Sequence, residues 1–300
     1  MRSLLPGIAL LAVLASLAGC GGGGKGSDLA FVSTRDDDYA IFAMSAGGGG
    51  QHRLTKRKVD VSTPQRLFFQ IEPAWSSDGT RVAFSSRRAG SFDIYAMNAD
   101  GTGTEQLTSG KASDNHPTYS PRGDRIAFAR DADIWTMNAD GSDQRKITGI
   151  DADESDPAWS PNGTWIAYAR RASGETAKEL WVMHPDGSDR HALTKLAGEV
   201  LQPAWAPNSR RIVFTSKTGN EQFYVLRTIG ADGKGLREVV PTQADDFAPS
   251  WSPKGDEIAF QEEGVIYTVE LGGGDLKKLT SDTTNDSSPT WNPSFGSTAD

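Results

Sequence analysis

One phrase returns six times along the chain and limits its fold more than any other feature. It reads Pro73-Ala74-Trp75, Pro117-Thr118-Tyr119, Pro157-Ala158-Trp159, Pro203-Ala204-Trp205, Pro249-Ser250-Trp251 and Pro289-Thr290-Trp291. The steps between successive prolines are 44, 40, 46, 46 and 40 residues. Self-similarity at such a period marks an array of like supersecondary units, each stacking its apolar faces on its neighbours.

Within the first five units a second aromatic follows the first by nine residues, at Phe84, Phe128, Tyr168, Phe214 and Phe260. Between the two aromatics lie Ser77-Asp78-Gly79, Pro121-Arg122-Gly123, Pro161-Asn162-Gly163, Pro207-Asn208-Ser209 and Pro253-Lys254-Gly255. These residues favour a tight turn with one left-handed position, so each aromatic pair reads as a hairpin. A third run (Asp93–Met97, Asp133–Met137, Leu180–Met183), a turn such as Asn98-Ala99-Asp100-Gly101, and a short ending such as Leu107-Thr108 complete four strands per unit. Runs such as Ile126-Ala127-Phe128 and Ile258-Ala259-Phe260 are apolar at successive positions, as expected where both faces of a sheet are covered.

Four-stranded sheets at this period predict an all-β fold, a β-propeller; a β-sandwich explains no such repeat. Leu29 to Thr55 supplies three strands without a Pro-x-Trp strand, and Pro289-Thr290-Trp291 supplies that strand with no partners after it. Five complete blades and one assembled from both ends give six, with the N-terminal strands pairing with the C-terminal one. That closure leaves only short sheet edges. With 300 residues, 33 Gly and 15 Pro, the chain has the turns and length for one such domain.

The chain opens on Met1-Arg2 and an apolar run from Leu4 to Leu17, too short for an ordinary membrane-spanning helix and of the form of a secretory signal. Leu17-Ala18-Gly19-Cys20 resembles the lipobox of bacterial lipoproteins, which implies lipidation of Cys20, the one cysteine. The expected organisation is a signal peptide over 1–19, the lipidated Cys and a Gly-rich tether over 20–27, the propeller over 28–293 and a tail over 294–300. Acyl chains, at about 0.8 kcal/mol per buried CH₂, would hold the protein at a membrane facing the periplasm or the cell exterior.

Pro157-Ala158-Trp159-Ser160-Pro161-Asn162-Gly163 and the Met-Asn-Ala-Asp-Gly phrases at 97–101 and 137–141 look like the TolB-type (PD40-like) propeller repeat. The resemblance covers about residues 28–293. It implies a protein- or peptide-binding scaffold of the cell envelope. TolB itself carries an α/β domain before its propeller, and the stretch between Cys20 and Leu29 has no room for one. Similar blades also occur in peptidase propellers and in some polysaccharide lyases, so the repeat speaks for fold more than for function.

The formal charge of −8, with no basic stripe, argues against nucleic acid, whose phosphates call for clustered Lys and Arg. No nucleophile elbow, zinc-protease helix or phosphate loop is present. The four histidines, at 52, 116, 184 and 191, fall at different places in the repeat. His184 replaces the Asn of a turn, and His116 precedes Pro117. The residues at that same place, Glu72, His116, Asp156, Gln202, Ala248 and Ser288, are expected to ring the central channel. Two positions earlier stand Gln70, Asp114, Glu154, Val200, Asp246 and Asp286, four of them acidic. Asp114, Glu154, Asp246 and Asp286 offer the oxygen donors that Ca²⁺ takes, although structuring of their own loops explains them better; no cofactor is assigned.

The connection from Lys56 to Gln70 carries nine residues more than its counterparts, and extra loop length on a regular scaffold is where function concentrates. Lys58, Arg66, Phe68 and Phe69 in it join the ring and the acidic positions as the expected partner face. The leading expectation is a monomeric, membrane-anchored propeller that binds an envelope protein or peptide. The competing readings are a lyase or hydrolase using His116, Asp114, Glu154 and Asp156 as acid and base, and a glycan-binding protein using the channel.

Overall fold

A computed structural model describes residues 27–36, 38–56, 70–149, 152–239, 244–272 and 274–295. Within them the regular elements are 24 β-strands, arranged as six antiparallel sheets of four. Blades 1 to 5 are continuous in sequence and span Gln70–Gln106, Asp114–Lys146, Ala152–Ala192, Gly198–Glu238 and Asp246–Lys278. The closing blade takes Leu29–Ser33, Ala40–Met44 and His52–Arg53 from one end of the chain and Asp286–Trp291 from the other. Leu29 stands opposite Trp291 and Ser33 opposite Asp286, so the last phrase of the repeat supplies the innermost strand of the first-begun sheet.

The core lies between blades. Six clusters of buried residues each mix side chains of two consecutive sheets, and the closing blade joins both blade 5 and blade 1. Phe84, Phe128, Tyr168, Phe214 and Phe260 are all fully buried. Burial of each such ring stabilises the fold by roughly 1.5–3 kcal/mol. The alanines beside them, Ala83, Ala127, Ala167 and Ala259, let the next sheet approach and are themselves covered.

Two repeated polar devices fix the strands. In the first-hairpin turns Gly79, Gly123, Gly163 and Gly255 take φ of 69 to 75°, and Ser209 takes the same place at 58°. There the hydroxyls of Ser76, Ser120, Ser160 and Ser252 accept from the backbone N–H groups five residues on. At the outer edge, Thr55, Thr108, Thr148, Thr194 and Thr280 accept with Oγ1 from the backbone N–H of the residue fourteen positions earlier, at 2.9–3.1 Å. The Leu-Thr ending is thus a buried clamp on the third strand as well as the start of the fourth.

Candidate functional site

Each innermost strand has a register shift at the residue before its proline. Glu72, His116, Asp156, Gln202, Ala248 and Ser288 all adopt φ of 50 to 57°. A non-glycine residue in this region costs about 1–2 kcal/mol, and six such bulges in equivalent places re-aim six side chains together. They line, with the prolines that follow them, a central cavity of about 240 Å³.

The ring is uneven. Ala248 and Ser288 make one small, neutral arc, and Glu72, His116, Asp156 and Gln202 make a polar one. His116 Nε2 lies 2.9 Å from Glu72 Oε1 in the preceding blade and 2.9 Å from Asp156 Oδ1 in the following blade. Glu72 Oε2 also accepts from the backbone N–H of His116 at 2.7 Å and from the Ser85 hydroxyl at 2.9 Å. On the other side the Ser155 hydroxyl donates to Asp156 Oδ2, and Lys178 Nζ donates to that hydroxyl. Gln202 repeats the Glu72 contact, accepting from the Ala248 N–H at 2.8 Å.

Burial alone would lower the pKa of His116, but Asp156 and Glu72 outweigh it and hold the imidazole well above its ordinary value. Burial likewise works to raise both carboxyls; the charge of His116 and its hydrogen bonds overcome it, leaving Glu72 below the usual range and Asp156 at about 2. The three side chains form a charge-assisted bridge over three blades, with the imidazolium as its centre.

The acidic positions two residues earlier do not line this cavity. Asp114 lies in the fork of Arg130 at 2.6 and 2.7 Å, Asp286 meets Arg35 at 3.1 Å, and Glu154 lies 3.4 Å from Arg170. Asp246 is fully buried opposite Glu262. The bulge explains the separation: strand alternation would point positions two apart to one side, and the inserted residue breaks that alternation. No group of three or more His, Cys, Asp or Glu side chains among the described residues converges as a metal site. Cys20, Lys58, Arg66, Phe68 and Phe69 lie outside the described residues. Sequence reasoning missed the arginines, although Phe128-Ala129-Arg130 and Tyr168-Ala169-Arg170 place them two residues after the repeat aromatic.

The profile of the TolB beta propeller domain family (PD40) matches this chain over residues 23–209, 65–246 and 178–298. The chain belongs to the TolB beta propeller family. A protein TolB homolog of Chlorobium luteolum is 28% identical over 137 residues, covering 34% of this chain and 31% of that protein. The chain spans about a third of the length of such curated relatives. The crystal structure of TolB from Acinetobacter baumannii superposes with a TM-score of 0.73 at 17% identity, over 89% of this chain and 66% of that one. An oligogalacturonate lyase in complex with manganese superposes with a TM-score of 0.54 at 14% identity, over 70% of this chain and 64% of that one. At these identities the structural likenesses show the propeller fold alone, in TolB and lyase alike.

Proposed function

We propose that this TolB-type propeller is an exported, Cys20-anchored module that binds an envelope protein or peptide through the face on which its channel ring opens. The observation that carries the reading is His116, held between Glu72 and Asp156 at 2.9 Å each. A general base needs a free nitrogen lone pair and a pKa near the working pH. An imidazolium clamped by two ionised carboxylates has neither, whereas a rigid, charge-bearing arc beside a small neutral arc is what recognition of a polar segment requires. Relatives named TolB and Tol-Pal system protein TolB support an envelope role.

The test is in-cell photocrosslinking of the full lipoprotein with the photoreactive residue at Ser288, followed by mass spectrometry. A defined partner that is lost in Glu72→Gln and Asp156→Asn supports the reading. Turnover of envelope or plant polysaccharide by the purified chain, abolished by His116→Gln, would replace it with the enzymatic one.

A further inference from the structure

Two blades carry the same arginine device, and among the described residues only one of the two arginines meets a carboxylate. In the closing blade, Phe31-Val32-Ser33-Thr34-Arg35 folds the arginine back so that Nε donates to Ser33 Oγ at 2.8 Å. Its guanidinium carbon stands 5.3 and 4.7 Å from the ring centroids of Phe31 and Phe42. Nη2 then meets both oxygens of Asp286, at 3.2 and 3.1 Å, and Nη1 donates to Gln51 Oε1.

In blade 1, Phe84-Ser85-Ser86-Arg87-Arg88 repeats this arrangement. Arg88 Nε donates to Ser86 Oγ at 3.1 Å, and the guanidinium carbon stands 5.6 and 4.5 Å from the ring centroids of Phe84 and Tyr95. Strand register places Gln70 opposite Ser86, as Asp286 is placed opposite Ser33. At that register position blade 1 has a glutamine where the closing blade has an aspartate. Among the described residues Arg88 has no carboxylate partner; Glu72 is bonded to His116, and Glu105 to Arg81. Arg130 in blade 2, bonded to Asp114, has its pKa raised by that bond; Arg88 has its pKa lowered, by burial.

We propose that Arg88 is a receptor for a carboxylate brought by a partner, an aspartate or glutamate side chain of an acidic peptide segment that meets this guanidinium as Asp286 meets that of Arg35. A planar guanidinium already stacked on two rings and oriented by Ser86 loses little freedom when it receives a carboxylate. The preference is for carboxylate because that is what the same device holds inside this fold. The inference rests on the Arg35 comparison and stands apart from the reading of the channel.

The experiment is an NMR titration of the ¹⁵N-labelled protein, following the Arg88 Nε–H signal, assigned by its absence in Arg88→Lys. The probe is an acetylated, amidated Ser-Gly-Asp-Gly-Ser peptide at millimolar concentration, with the Asn analogue and inorganic phosphate as controls. The expected result is a saturable shift with the Asp peptide, at least tenfold weaker with the Asn peptide and not reversed by equimolar phosphate. Gln70→Asp should install the missing internal partner, raise the thermal midpoint and weaken the peptide at least tenfold. No shift with the Asp peptide, equal shifts with Asp and Asn peptides, displacement by phosphate, or unchanged affinity in Gln70→Asp would each overturn the assignment.

Discussion

The guanidinium of Arg35 meets the carboxylate of Asp286 at 3.1 Å, joining residues 251 positions apart in the one sheet built from both ends of the chain. Asp286 is fully buried, accepts also from the Thr284 hydroxyl, and begins the strand that pairs with Leu29–Ser33. Asp286→Ala removes charge-assisted bonds and leaves a partly exposed guanidinium without its carboxylate, at a cost of roughly 1.5–3 kcal/mol.

Asp286→Ala should therefore lower stability by roughly 1.5–3 kcal/mol in urea unfolding monitored by tryptophan fluorescence. Asp282→Ala, whose carboxylate is exposed although it contacts Lys278, should change it by less than about 0.5 kcal/mol. Equal effects would mean that the closing sheet does not depend on this pair.

Asp93 runs the opposite way. It is buried at the boundary of blades 1 and 2, where burial first and the neighbouring Asp114 second push its pKa up to about 6. A carboxyl raised in the folded state destabilises progressively as pH climbs from its unfolded value near 4 to the folded one. Asp93→Asn should match the native chain at pH 4, gain stability between pH 4 and 6, and stay ahead by about 2 kcal/mol at pH 8. Denaturant unfolding at those pH values checks the sign and the plateau.

Gly101 turns the third-to-fourth-strand hairpin of blade 1 with φ of 80°, and a Cβ there would lie 2.1 Å from the Leu54 carbonyl oxygen of the closing blade. Gly101→Ala should cost about 3 kcal/mol, the left-handed term of about 1–2 kcal/mol plus displacement of a neighbouring backbone. Gly90→Ala, at φ of 116° with open space around it, should show the backbone cost alone. Thermal unfolding of the two variants side by side makes the comparison.

The blades were legible because their signals are local. Proline, the paired aromatics and the Asn-Gly or Asp-Gly turns each report backbone geometry within a few residues, and the period multiplies them. The channel ring followed from the place before each proline, and all six residues line the cavity. The acidic positions were harder to place. Their direction depends on a bulge that shifts register by one residue; Pro117 within Asp114–Tyr119 marks an irregularity but does not say which side chains it turns. The bridge Glu72–His116–Asp156 was hidden for another reason: its members stand 44 and 40 residues apart and meet only when the ring closes, so composition at one repeat position could name them without pairing them.

That bridge also sets a pH window. Glu72 and Asp156, with lowered pKa values, contribute stability above an unfolded value near 4 and lose it as pH falls toward about 2. His116, with a raised value, contributes fully below about 6.5 and loses its share as pH rises from there through its folded pKa. Native minus His116→Gln stability should peak between about pH 4 and 6.5.

The most direct measurement is the protonation state of His116, read from its ring ¹⁵N shifts in a titration of the folded protein from pH 5 to 9, with the signal assigned by its loss in His116→Gln. The account predicts an imidazolium at pH 7, with a midpoint well above 6.5. A neutral ring at pH 7 would contradict the fixed charge at the channel mouth and return His116 to the candidates for a general base.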